Sequence, residues 1–299
     1  MLPEGRGQGD RHKALDASDH LRRKSRHEDI GQDAIERLTP AGDTLEALKK
    51  AIKKPSGMIL LAGPAGSGRT TTAFTLINLL NTAEKNIVTV EDPVEYHIKR
   101  VNQVEVNPKA GVIFASALRH ILRQDPDIVM IGDIEGKETA EIAMHASLAG
   151  RVVISTIHMN SAVGTVSRLL DMGIEPYLVS SSIMCIVGQR LVQSYEADPA
   201  IIKELGVKAA SMKNAVFSRG AGCAACKGTG LRGRIGIFEI LLLDDEIRAM
   251  INSRADSKAI LDAARKKGFL PLRADGIRAV LAGRTTVEEV LQAAQMVED

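Results

Sequence analysis

At 299 residues, with 44% hydrophobic and 25% charged side chains, the chain has room for about two packed domains and the composition of a soluble globular protein. A net charge of +2 is too small to mark a polyanionic partner, and 3% aromatic residues with no tryptophan give single-stranded nucleic acid few platforms to stack on. No apolar run reaches the roughly 18–20 residues of a membrane span, the N-terminus lacks a signal-peptide pattern, and three cysteines make no disulfide framework, so a reducing, cytoplasmic setting is expected.

Residues 1–42 are polar and broken. Arg22-Arg-Lys-Ser-Arg26 is the densest charge, and nearby acids nearly balance it, so this stretch reads as a solvated, poorly ordered leader rather than a basic patch. A short helix is expected from Thr44 to Ile52, with Leu45, Leu48 and Ile52 on one face, ended by Pro55-Ser-Gly57. The apolar run Met58-Ile-Leu-Leu-Ala62 then leads into Gly63-Pro-Ala-Gly-Ser-Gly-Arg-Thr70, followed by a helical pattern through Phe74, Ile77 and Leu80. Strand, glycine-rich loop and helix in that order form a phosphate cradle built of backbone N–H groups and a helix N-terminus. Gly63, Pro64, Ala65, Gly66, Ser67, Gly68, Arg69, Thr70 and Thr71 are the expected nucleotide contacts, and the Thr70 hydroxyl stands where it would ligate the Mg²⁺ of bound ATP. The motif asks for lysine at position 69, and arginine is planar and bulkier, so the exchange is not conservative.

Asn86-Ile-Val-Thr-Val-Glu91 reads as a buried strand running into an Asp92-Pro93 turn, and Val101–Val106 alternates like a half-exposed strand. Phe114, Leu118, Ile121 and Leu122 mark a helix face. Asp127-Ile-Val-Met-Ile-Gly-Asp133 is an apolar strand with an acid past its end, a helix follows through Ala149, and Arg151–Ile157 is another strand closed by His158. Strands alternating with helices around one phosphate loop describe a parallel α/β sheet. The apolar run Ile183–Val187 holds Cys185 as a core residue, and from about Leu241 the chain reads as helical, with Ile247, Met250 and Ile251 on one face and Val287, Val290, Leu291 and Ala294 on another. Thr286 with Glu289 reads as a capping box for the last helix.

Several stretches together resemble the type II secretion and type IV pilus assembly ATPases: Val90–Tyr96, Phe114–Arg119, Leu122–Asp127, Ser155–His158, Gly222–Gly230, Gly233–Glu239 and Leu270–Gly276. The likeness runs from about residue 43 to the C-terminus. It implies a RecA-like ATPase core (43–193), a knuckle segment with a following strand (194–240) and a helical C-terminal subdomain (241–299). It also implies a cytoplasmic hexamer, homomeric or mixed with a complete paralogue, held to the inner membrane through a platform protein. By the same resemblance Glu91 would polarise the attacking water, Asp133 would stand in the Walker B position and help hold Mg²⁺, and His158 would steady the γ-phosphate.

The chain departs from that pattern in several places. Arg69 replaces lysine, Asp133 is a methylene (~1.5 Å) shorter than the usual glutamate, Glu135 replaces an arginine, and Arg151 replaces a first histidine. The N-terminal domain whose arginines reach the nucleotide is not matched. Zinc-binding relatives use two cysteine pairs, whereas this chain has only Cys223-x-x-Cys226, half a structural zinc site, so zinc is not expected. Two functions follow from the sequence: an ATP-hydrolysing motor subunit that drives pilin or pseudopilin assembly, or a nucleotide-binding scaffold of the same machinery with little or no turnover.

Overall fold

The structure, a computed structural model, describes residues 43–193 and 233–294. Its frame is a seven-stranded sheet whose central strands are apolar on both faces. β1 (Gly57–Ala62), β2 (Ile87–Glu91), β4 (Ile128–Ile131) and β5 (Val152–Ile157) are buried along their whole length. Strands with no polar face need helices on both sides, and parallel pairing through helical crossovers supplies them. The order is β3-β2-β4-β5-β1-β6-β7, with β3 (Val101–Glu105) at one edge and β7 (Arg234–Leu242) at the other. Every pairing is parallel except β6 (Ile183–Gln193) with β7, which is antiparallel.

The alternation of β1 divides the core. Ile59 and Leu61 face α1 (Asp43–Ile52) and α2 (Arg69–Leu80), joining Leu48, Phe74 and Ile77. Met58, Leu60 and Ala62 face the opposite layer of α4 (Lys137–Leu148), α5 (Ala162–Asp171), α6 (Pro176–Ser182), α7 (Asp245–Asn252) and α8 (Ser257–Lys266). α3 (Phe114–Ile121) packs Ala117 and Ile121 against Val88 and Val90 of β2. Thus the late helices α7 and α8 share one continuous core with the central strands. The architecture is a RecA-like α/β layer with a helical C-terminal part, as expected.

Two further helices, α9 (Leu272–Leu281) and α10 (Val287–Ala294), cover the β6–β7 edge. An open edge strand exposes a row of N–H and C=O groups. Asp275 of α9 answers one of them, its Oδ2 accepting the Phe238 N–H of β7 at 2.9 Å. Burial pushes the Asp275 carboxyl above the ordinary range, against that bond and the nearby Arg278 and Arg284. The capping box expected at α10 forms only in part. Thr286 Oγ1 accepts from Glu289 N at 3.1 Å, but the Glu289 carboxylate reaches Gln193 N at 2.9 Å and ties α10 to the end of β6. Tertiary contact overrides the local return bond because the last N–H of an ending strand needs an acceptor.

The Asp275→Ala variant leaves the Phe238 N–H buried without a partner. Its urea midpoint should correspond to a loss of about 1–3 kcal/mol, with an unchanged m-value.

Candidate functional site

β1 lies between β5 and β6, and its last residue, Ala62, is paired with both Ile157 and Gly188. Gly63 continues that register with a backbone bond to Ile157 O at 3.3 Å. The loop then turns through Gly66 (φ +76°) and Gly68 (φ +88°), left-handed positions that disfavour any side chain. Gly68 caps α2 without a side-chain bond. The first N–H groups of that helix therefore have no acceptor within it, and they carry the positive end of its dipole to the loop. Ser67 folds inward, buried, with its Oγ unpartnered.

Beneath the loop lies Gln189 of β6, fully buried. Its Oε1 accepts the Thr72 hydroxyl of α2 at 2.8 Å, and its Nε2 has no partner. A Cβ at Gly68 would come within 2.9 Å of that Nε2, so a side chain there would displace the Gln189 amide as well as strain the backbone. Strand β6 therefore holds the first turn of the helix from below, and the loop hangs between two fixed points.

Beyond the loop the carboxyl ends of β2, β4 and β5 line a polar cleft of about 230 Å³, with Arg69, Thr70, Glu91, Asp133, Glu135 and His158 in its wall. Glu91, the last residue of β2, is buried rather than exposed. Gln103 of β3 donates to its Oε1 at 2.9 Å, and the Thr89 hydroxyl donates to the same oxygen. Burial pushes the Glu91 carboxyl above its ordinary range, and those two bonds partly offset the push. Asp133 follows β4, with its Oδ1 2.8 Å from the Thr156 hydroxyl. It is not a helix cap, since α4 begins after Gly136.

Arg69 bends back on its own loop. Nη1 donates to Gly63 O at 2.7 Å, and Nη2 lies 2.9 Å from His158 Nε2. That same Nε2 is 3.3 Å from Asp133 Oδ2. With the ring neutral and protonated on Nδ1, Nε2 accepts from Arg69; a proton on Nε2 would turn the bond toward Asp133. His158 thus bridges a cation and an anion across the mouth of the loop. Burial lowers the Arg69 pKa, opposed by the Asp133 charge.

Of the residues singled out in the sequence, Arg69 and Thr70 at the end of the loop meet Glu91, Asp133, Glu135 and His158 around one cleft, with Gly63 to Gly68 leading into it and Thr71 following. Arg151 does not. It precedes β5, at the opposite end of that strand from His158, and donates to Asp125 at 3.0 Å. Cys185 is buried in β6, its thiol pushed up to about 12 by burial. Cys223 and Cys226 lie outside the described residues, and among the described residues no group of three or more His, Cys, Asp or Glu is arranged to hold a metal. Sequence reading missed Gln103, Thr156, Gln189 and Arg190. The available signal was polar residues inside predicted strands, Gln189-Arg190 most plainly, one glycine after the apolar run Ile183–Val187.

A glycine-rich loop between a buried strand and a helix, with acids and a histidine at neighbouring strand ends, defines the class: a P-loop protein of RecA-like architecture. Residues 23–292 match the family described as Type II/IV secretion system protein, so the chain belongs to that family. The match begins N-terminal of α1. Among curated relatives, the chain is 44% identical over 265 residues to the type IV pilus assembly ATPase PilB of Thermus thermophilus, which covers 86% of this chain and 30% of that protein. It is 46% identical over 253 residues to type II secretion system protein E of Pseudomonas aeruginosa, covering 82% of this chain and 50% of that protein. The chain therefore spans half or less of the length of these relatives. A solved structure, that of the pilus retraction motor PilT with bound ADP, superposes with a TM-score of 0.63 at 25% identity over 84% of this chain and 64% of that one. No helix among the described residues is long and apolar enough to cross a membrane.

The Thr72→Val variant keeps the shape of the side chain but leaves both ends of the buried Gln189 amide unpartnered. Its thermal or denaturant unfolding should show a loss of about 1–3 kcal/mol.

Proposed function

We propose that the chain is the ATP-binding, ATP-hydrolysing part of a motor subunit that drives pilin or pseudopilin assembly in a type II secretion or type IV pilus system. The reading rests on the convergence of the phosphate loop with Glu91, Asp133 and His158 in one cleft. It is supported by family membership and by the names of the relatives, a pilus assembly ATPase and a type II secretion protein E. The ADP bound to the retraction motor PilT supports a nucleotide in this loop.

The residues fit such a ligand. Left-handed Gly66 and Gly68 leave a cradle that side chains would fill, and the buried Ser67 Oγ and Gln189 Nε2 have bonding capacity to spare. Backbone N–H groups from Gly66 to Thr71 would hold the phosphates, with most of that binding independent of the side chain at 69. Thr70 and Asp133 would hold Mg²⁺, which when bound neutralises charge on the transferred phosphoryl group. Glu91 would accept the proton of the attacking water at the carboxylate that Gln103 and Thr89 orient. His158 would leave Arg69 and hold the terminal phosphate.

The chain divides into a RecA-like core (43–193) and a helical subdomain (241–299), while the leader expected at 1–42 and residues 194–232 of the expected knuckle segment lie outside the described residues. The chain is further read as part of a cytoplasmic hexameric ring, homomeric or mixed with a complete paralogue, peripheral to the inner membrane through a platform protein. The non-hydrolysing scaffold is the less favoured alternative: the buried, doubly hydrogen-bonded Glu91 has the surroundings of a base, whereas the Arg69 bonds to Gly63 and His158 and the shortened Asp133 argue for slow turnover.

Calorimetric titration with Mg·ATP should give saturable heat at millimolar nucleotide or below, and its absence would end the ATP reading. Hydrolysis should be slow in the parent and rise at least about tenfold in the combined Arg69→Lys, Asp133→Glu variant, which restores a slim charge and a longer reach. Adding Glu91→Gln to that variant should abolish phosphate release while leaving the binding heat intact. A double variant that stays at the parent rate would favour the scaffold.

A pH profile tests Glu91 separately. Only the ionised carboxylate accepts a proton, and burial raises its pKa, so activity is lost as pH falls through that raised value. The acid limb of kcat/KM should therefore lie above the ordinary glutamate value of about 4.3.

A further inference from the structure

Glu239 of β7 is a buried carboxylate with no part in the cleft. Its partner in the antiparallel ladder is Gly188 of β6. That glycine is needed for close approach, since a Cβ there would lie 2.7 Å from Glu239 Oε1. The space admits the carboxylate between two helix starts. Oε1 accepts from Ala162 N, the first residue of α5, at 2.6 Å, and Oε2 accepts from Leu272 N, the first residue of α9, at 3.2 Å. Burial raises the Glu239 pKa, and the two helix N-termini and the charge of Arg190 only partly offset that push.

Ala162 lies only four positions after His158, and the segment between them is held a second time. Arg190, one residue on from Gln189 and itself buried, donates through Nη2 to Asn160 O at 2.9 Å. On its own strand face Arg190 is the diagonal neighbour of Glu239, two ladder positions along from Gly188. The loop carrying His158 is thus gripped at Asn160 by Arg190 and at Ala162 by Glu239. The Glu239 grip is shared with α9, the helix that covers the outer sheet edge.

We infer that Glu239 is a positioning residue that couples the His158 loop to α9 through one buried carboxylate. Movement of His158 between Arg69 and a bound terminal phosphate carries residues 159–162 with it. The shorter Ala162 bond keeps the carboxylate with α5, so the longer bond to Leu272 is the one that changes. Nucleotide state in the cleft is thereby read at the N-terminus of α9, on the far side of β6 from the P-loop. Charge is essential to the device, because a neutral amide would point an N–H at one of the two donors.

This inference rests on nucleotide binding at the loop, and hydrogen–deuterium exchange on the full chain separates the two. With Mg²⁺ and a non-hydrolysable ATP analogue, the parent should slow exchange at residues 66–71 and also change exchange at 272–275 by about threefold or more. In Glu239→Gln the response at 66–71 should persist and the response at 272–275 should vanish, with kcat down about tenfold and KM within about twofold. No response at 66–71 in the parent would overturn the nucleotide reading. A loop response without one at α9 in the parent, or an α9 response that survives in Glu239→Gln, would overturn the coupling. If Glu239→Gln loses cooperative unfolding, Glu239→Asp replaces it: it keeps the charge but reaches only one helix, and a parental α9 response in that variant overturns the coupling equally.

Discussion

The end of β1 is the point on which the molecule turns. β1 is buried on both faces and hydrogen-bonded on both edges, by β5 through Ile157 and by β6 through Gly188. A strand so confined cannot slip by one residue without moving its apolar set from one helical layer to the other. The residues that follow each strand end are therefore delivered to fixed places. Gly63 after β1, Gly132 and Asp133 after β4, His158 after β5 and Gln189 beyond Gly188 on β6 sit side by side because their strands are in register, not because any of them seeks the others. The loop's own contacts, to Ile157 and over Gln189, only continue that register.

Given that scaffold, the charges that matter are those it has taken out of water. Each is answered differently. Glu91 is given two donors on one oxygen, which orient it while burial keeps its carboxyl raised. Glu239 is given two helix N-termini and an arginine. Asp275 is given the free N–H of an edge strand. Arg69, whose burial is opposed by Asp133, instead consumes a backbone carbonyl of the loop it belongs to. Lysine, with a compact charge on a flexible stem, has no second nitrogen to reach His158 while bonding Gly63. The planar fork of arginine makes both bonds at once, which links the loop to the histidine in a way the usual residue would not.

Much of this is legible in the chain. Strands β1, β2, β4 and β5 declare themselves as runs of four to six mostly apolar residues, and the phosphate loop by its glycines. Three of the four expected departures fall at the cleft because they lie in the segments that leave the carboxyl ends of β1 and β4, on the same side of the sheet. Arg151 misleads because it precedes its strand: a position one strand length from His158 in sequence is at the opposite end of the strand in space. The helix α6 and the long strand β6 are not separable from their sequence, since only Ser180-Ser-Ser182, with no glycine or proline, stands between Leu178-Val179 and Ile183–Val187. The capping box of Thr286 is half formed for a reason local rules cannot contain, as Glu289 has a better donor in Gln193, distant in sequence.

Gln189 and Arg190 expose what single-sequence reading loses most readily. As consecutive residues of a strand they point to opposite faces. Gln189 enters the layer of α2 and meets Thr72, whereas Arg190 enters the layer of α5 and meets Asn160. One dipeptide therefore touches the phosphate loop on one side of the sheet and the His158 loop on the other. In a strand buried on both faces, apolar pairs would pack at lower desolvation cost, so a polar pair there has to be held by bonds on both sides. On the Arg190 side both terminal nitrogens are bonded, while on the Gln189 side Nε2 is unpartnered. The two faces of the sheet are thus not equivalent: one is satisfied as it stands, and the other keeps its spare donor directly under the loop that would change on binding phosphate.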